Sequence, residues 1–265
     1  PLLAHWSDDL RVIPNQWKEK LIQSIPCELA ALGRYLTIYA QDLKNVPPST
    51  VLTHISSLSA LTHLSLAGTP IQDVSALNTL INLTELDLRD THVHDVSAFT
   101  NLTDLSKLLL GGTQITDISP LASLANLDEL DLSFTHVRDI SPLTKLTNLD
   151  QLALGGTQVT DLTALATLKK LTSLILWGTH VSDVTALAKL TNLTGLVLWG
   201  THVSDVTPLT KLTNLKYLDL SDTKVTDISA LAKLTNLTGL DLSLTHVSDV
   251  RTLASLVHLS GLDLT

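Results

Sequence analysis

Five histidines of this 265-residue chain, His92, His136, His180, His202 and His246, are separated by multiples of 22 residues. Imidazole is the side chain readiest for acid–base work near neutral pH and for holding a metal. Zinc, however, takes four ligands that converge tetrahedrally, with Cys, His or carboxylate arriving from more than one direction. Only His180 and His202 fall a single period apart, and a single-file pair does not close such a shell. These histidines are expected at the surface. No HExxH, GxSxG or Gly-rich phosphate loop occurs, and no nucleophile is expected to converge with a paired base. The sequence is read as carrying no catalytic residue, no metal site and no cofactor.

Tryptophan and aspartate follow the same period. LILWGTHVSD at 174–183 and LVLWGTHVSD at 196–205 put Trp177 and Trp199 at equivalent points, in a chain with only four tryptophans. Aspartates recur at 73, 95, 117, 139, 161, 183, 205, 227 and 249, and Asp commonly bonds nearby backbone amides, so this column is expected to satisfy turns. A second set stacks Asp219, Asp241 and Asp263, and another zone holds Glu85, Asp87, Glu129 and Asp131. Like charges one rung apart repel, which suits a basic partner or a cation, although a solvated surface explains them as well.

The elements that position these residues follow from the leucines. Units of 22 residues begin at Leu61, Leu83, Leu105, Leu127, Leu149, Leu171, Leu193, Leu215 and Leu237, and a tenth begins at Leu259 and stops at Thr265. They share LxxLxLxxTxVxDVxxLxxLTN. Positions four and six alternate with outward positions, the period of a strand, and successive strands are expected to stack in parallel about 4.8 Å apart. SPL at 119–121 and 141–143 and TPL at 207–209 place Ser or Thr just before Pro, the N-cap and first-turn pairing of a short helical turn. Asn82, Asn126, Asn148, Asn192, Asn214 and Asn236 end their units and suit a left-handed residue closing that turn. Threonine holds position nine in all nine complete units, where its hydroxyl could form a ladder between coils.

The repeated pattern resembles the leucine-rich repeat family over about four fifths of the chain. The threonine column and the TDISPL and SDVTAL segments look like the bacterial internalin type. The fold implied is an α/β repeat solenoid: a curved array with a parallel concave sheet and short helical turns on the convex side. Residues 1–60 differ. Trp6, Leu10, Trp17, Leu21 and Ile22 lie at helical spacings, so a helical cap with an irregular first strand at LTI 36–38 is expected before the repeats at 61–265.

Stacking turns equivalent positions into columns. Ile175 and Val197 at position five, Trp177 and Trp199 at position seven and Tyr217 at position three are expected to form one apolar, aromatic patch on the concave face, with Asp219 and Asp241 beside it. Such patches are unusual on a monomer, and Trp and Tyr are enriched at binding hot spots. Packing of the tryptophans against Gly178 and Gly200 is the alternative.

The resemblance implies a protein-binding module, adhesin- or effector-like, or else the recognition arm of an enzyme such as an effector ubiquitin ligase or signalling GTPase. A monomer is expected, in the bacterial cytoplasm or exported. Seventeen basic against twenty-six acidic residues give −9, which argues against nucleic acid, and no apolar run is long enough for a bilayer. Cys27 stands alone and so forms no intrachain disulfide. Because the chain starts at Pro1, lacks methionine and stops in a strand at DLT 263–265, a longer natural product is expected.

Overall fold

The computed structural model describes residues 34–38 and 47–265; the expected cap helices around Trp6 and Trp17 lie outside the described residues. The chain forms two compact units, divided after Leu127. In the first, β1 (Tyr35–Thr37), β2 (His63–Ser65), β3 (Glu85–Asp87) and β4 (Lys107–Leu109) pair in parallel in chain order. The second holds β5 (Glu129–Asp131), β6 (Gln151–Ala153), β7 (Ser173–Ile175), β8 (Gly195–Val197), β9 (Tyr217–Asp219), β10 (Gly239–Asp241) and β11 (Gly261–Asp263), again parallel and sequential. Register is that of the repeat: Leu174 faces Leu196, and Ile175 faces Val197. The irregular first strand therefore exists, at 35–37, and pairs Leu36 with Leu64. Between β1 and β2 lies an α-helix, α1 (Pro48–Ile55), which the repeat pattern did not signal.

Seven apolar positions per repeat make the core. In the repeat from Leu61 they are Leu61, Leu64, Leu66, Ile71, Val74, Leu77 and Leu80, none more than 2% exposed. Burying each such side chain contributes about 1.5–3 kcal/mol, which ties every coil to its register. The helical turns are 3-10 segments of five residues, such as Thr185–Lys189 and Thr207–Lys211. A 3-10 segment rises about 2.0 Å per residue against 1.5 Å for an α-helix, so few residues cross the back of a short coil.

Three local expectations are corrected. The first concerns the caps. Ser119, Ser141 and Thr207 are the first residues of their 3-10 segments, preceded by Ile118, Ile140 and Val206, and their side chains cap nothing. The acceptor is the aspartate two residues upstream: Asp117, Asp139 and Asp205 each accept the Ser or Thr N–H through Oδ1 at 2.8 Å. That first N–H has no partner inside the segment, so the aspartate column supplies one, as expected of it.

The second concerns threonine. Each position-nine hydroxyl donates to the carbonyl three residues back in its own coil, at 2.5–2.8 Å from Thr69 through Thr245, so no ladder runs between coils. A buried hydroxyl is thereby satisfied locally.

The third concerns asparagine. The amides of Asn82, Asn126, Asn192, Asn214 and Asn236 donate to carbonyls 23 residues earlier, at 2.7–2.9 Å, bridging one coil to the preceding one. The left-handed residue stands instead at position eight of every complete repeat: Gly68, Asp90, Gly112, Phe134, Gly156, Gly178, Gly200, Asp222 and Leu244. In that conformation its N–H reaches the position-seven carbonyl of the next coil, as from Gly178 to Trp199 at 2.7 Å.

Candidate functional site

Repeat by repeat, the residue at position five decides what position seven does. Where position five is aspartate, its carboxylate turns back on position seven. Asp219 Oδ1 accepts the N–H and the hydroxyl of Ser221 at 2.9 and 2.5 Å, and Asp241 Oδ1 does the same with Ser243 at 2.9 and 2.6 Å. Asp131 accepts the Ser133 N–H at 2.8 Å, and Asp87 forms a two-pronged ion pair with Arg89. Where position five is apolar, as at Ala153, Ile175 and Val197, no carboxylate closes the turn, and position seven is Gly155, Trp177 and Trp199. Positions five and seven in the middle of this face are thereby cleared of polar side chains, with Gln151 and Ser173 remaining at position three.

An aromatic row fills the cleared region. The repeat from Leu149 carries Gly155 and Gly156, and two rings from the flanking coils meet above them. A Cβ on Gly155 would overlap the Trp177 indole. One on Gly156 would lie 3.2 Å from Phe134 Cδ1 and 3.3 Å from Trp177 Cη2. Phe134 and Trp177 make an edge contact, with centroids 4.7 Å apart and planes at 64°. Trp199 continues the row at 5.8 Å and 34° from Trp177. Such geometry suits the ring quadrupoles. Phe134 is 64% exposed and Trp199 46%, while Trp177 is half-buried. Ile175 and Val197, both half-buried, face each other on β7 and β8 at the foot of the row.

The expected patch is thus present at its centre and altered at both ends. Trp177 packs on Gly155 and Gly156, not on its own neighbour Gly178. Tyr217, 45% exposed, lays its ring over Gly239 of the following coil and makes no ring contact with Trp199 among the described residues. Burial first, and then the carboxylates of Asp219 and Asp241, hold its phenol above the usual tyrosine range. Tyr217, Asp219 and Asp241 are therefore a polar flank of the row. Gly195, with nothing within 4 Å of where a Cβ would stand, leaves an open notch at position three of the Trp199 repeat.

Phe134 and Gly156, at position eight, were missed by reasoning on columns three, five and seven, and Gly155, at position seven, was not recognised as the seat of the Trp177 ring. The signal was a column away: at position eight, seven repeats have Gly or Asp, and a phenylalanine there is out of place. The chain's other phenylalanine, Phe99, takes a core leucine position and is fully buried.

The histidine column is exposed, and the rings of His180 and His202 meet edge-on at 5.6 Å. One nucleophile–base–acid outline occurs in the first unit. His63 Nδ1 is 2.8 Å from Thr62 Oγ1, and His63 Nε2 is 3.1 Å from Glu85, with Tyr35 stacked on the imidazole at 4.0 Å. The Thr62 hydroxyl, however, donates to the Arg34 carbonyl at 3.0 Å, so its proton is already engaged. That arrangement orders the edge of the sheet.

Stacked short parallel strands with 3-10 returns define a solenoid repeat protein. The sequence matches the family described as leucine-rich repeats (2 copies) over 59–101, 81–123, 103–145, 125–167, 191–233 and 213–255. A comparison with curated proteins found no match. Among solved structures, an internalin C2 of Listeria monocytogenes is 33% identical with a TM-score of 0.61, across 79% of this chain and 83% of that one. The internalin InlF of the same organism is 25% identical with a TM-score of 0.69, across 95% and 94%. The leucine-rich repeat ectodomain of the Arabidopsis thaliana receptor kinase GASSHO1/SCHENGEN3, 22% identical with a TM-score of 0.70, shares the fold across 80% of this chain and 27% of its own. The chain belongs to the leucine-rich repeat family, in its bacterial, internalin-like form. Proteins of this architecture are typically interaction modules. Among the described residues no helix is long and apolar enough to cross a membrane.

Proposed function

We propose that this chain is the partner-recognition module of an adhesin- or effector-like bacterial protein, with residues 1–60 as its cap and 61–265 as its repeat array. It takes a protein partner on the strand face, with Trp177 and Trp199 as anchors, Phe134 beside them and Ile175 and Val197 beneath. Tyr217, Asp219 and Asp241 line the polar flank. One observation carries this reading: three aromatic rings in a contiguous row, Phe134 against Trp177 and Trp177 against Trp199, two of them about half exposed or more, where exposed apolar area of this kind is otherwise avoided. The tryptophans cost little rotamer entropy to immobilise, which suits them to anchoring.

Trp199→Ala is the informative substitution because its ring is the less packed of the two. Immobilised chain and variant are exposed to bacterial and host-cell extracts, the captured protein is identified by mass spectrometry, and the purified partner is titrated. The affinity is expected to fall at least about tenfold, with Tm lowered by no more than about 4 °C. Equal affinity for both chains would remove the tryptophans from the interface.

A further inference from the structure

On the strand face the charge around the aromatic row is one-signed. Across positions three, five and seven of β5 to β11 and the turns that follow, the charged residues are Glu129, Asp131, Asp219, Asp241 and Asp263, and there is no lysine or arginine. Lys145, Lys189, Lys211 and Lys233 lie instead at the ends of the 3-10 segments and Arg251 at the start of one, while Arg138, Lys169, Lys170 and Lys224 lie in the connecting stretches. Lys216, at position two, is the one basic residue adjoining the strands, against Asp128 and Asp150 at the same position. Two carboxylate groups therefore bracket the apolar centre, one at β5 and one at β9–β10. At Asp219 and Asp241 both hydrogen bonds converge on Oδ1, so Oδ2 is left unengaged among the described residues. Next to Trp199, Asp222 Oδ2 stands 3.9 Å from where a Cβ of Gly200 would be.

Resting on the reading that this face is the binding site, we infer that its partner is a basic protein segment with a cationic side chain on each side of an apolar centre. Asp131 and Asp219 are four strand steps apart, about 19 Å at 4.8 Å per step, which about six residues of extended chain span. An arginine at the β9 end meets Asp219 and Asp222 while its guanidinium lies against the exposed indole of Trp199, where ring quadrupole and carboxylate attract it together. A second cation meets Asp131 beyond Phe134. A further copy of this chain is disfavoured, since each carries −9 and would bring like charge to like.

Three fluorescein-labelled octapeptides test the inference on the full chain: arginines at both ends of a leucine–proline centre, glutamates at the same places, and arginines flanking a glycine–serine centre. Fluorescence anisotropy is read at 50 and 300 mM NaCl. The first peptide is expected to bind at least tenfold more tightly than the other two and to weaken at the higher salt. Asp219→Asn and Asp131→Asn retain the Oδ1 acceptor and remove only the charge, so each is expected to weaken the first peptide three- to tenfold without altering the fold. If the glutamate peptide binds as tightly, or none binds up to 1 mM, the basic-partner inference falls. Should the first peptide bind equally to Trp199→Ala, the aromatic reading fails instead, and the two failures are thereby told apart.

Discussion

Phe134 holds a φ of 57°, a conformation that costs a residue with a Cβ about 1–2 kcal/mol, because its N–H must reach the Gly155 carbonyl at 2.7 Å. Five other repeats place glycine there and avoid the cost. Strain of this kind persists where the surrounding coil imposes the conformation, and at Phe134 the side chain so held also completes the aromatic row. A substitution series isolates it. Phe134→Ala keeps the strain and loses the ring contact, whereas Phe134→Gly loses the contact and relieves the strain. Urea unfolding should therefore rank Phe134→Gly above Phe134→Ala by about 1 kcal/mol, the reverse of the usual order for these residues in strands and helices. Leu244, at φ 56° and 69% exposed, provides the control: the same Gly-over-Ala order, with no effect on partner binding. An Ala variant more stable than Gly at 134 would mean that the left-handed geometry is not held in solution.

Each coil is interchangeable in register but not in surface. Deleting residues 171–192 removes one full period and joins Lys170 to Leu193. Every inward leucine keeps its place, and Trp199 then follows Gly155 and Gly156 by one coil, the position Trp177 holds now. The deleted chain is expected to fold cooperatively, with unchanged far-ultraviolet circular dichroism per residue and a regenerated Phe134–Trp199 pair. Deleting 171–191 instead shifts the following leucines by one place, and in a strand a slip of one exchanges inner and outer faces. With about 1.5–3 kcal/mol at stake for each misplaced side chain, that variant should lose cooperative unfolding. Equal melting curves for the two deletions would contradict a stacked-coil architecture.

At the scale of the whole molecule, stability should depend on acid in one direction. In Asp73, Asp95 and Asp139, the backbone N–H of the serine two residues on, then its hydroxyl, holds the carboxyl below its ordinary 3.8. In Asp183 and Asp205 the threonine side chain leads and the N–H follows, with the same direction. Arg251 does so for Asp249 through its side chain first, and Thr265 for Asp263 through its N–H first. A carboxylate lowered in the folded state contributes stability that is present above its unfolded value and lost as pH falls through the folded one. Tm should accordingly stay level from pH 7 to about 5 and drop below pH 3.8, with unfolding taking up protons in that range. A Tm that rises towards pH 3 would show that these caps add nothing.

Leucine spacing alone determined the repeat length, the strand register and the inward set, because burial of apolar side chains tolerates no shift of face, and the aspartate column was legible because every coil repeats the same unpaired amide. Trp177, Trp199, Ile175 and Val197 were legible as neighbours for the same reason: identical coils turn sequence period into distance. Other features came only from tertiary structure. Whether asparagine bends the chain or bridges to the previous coil depends on which carbonyl lies within reach of its amide. Similarly, the threonine hydroxyls found their acceptors within a coil, where a carbonyl was nearer. Tyr217 has a bare glycine on each side, Gly195 towards the row and Gly239 away from it, and its ring lies over Gly239; Phe134 joined the row because Gly155 and Gly156 left the space above their coil empty. Period places residues side by side, but the volume left by absent side chains decides which of them touch.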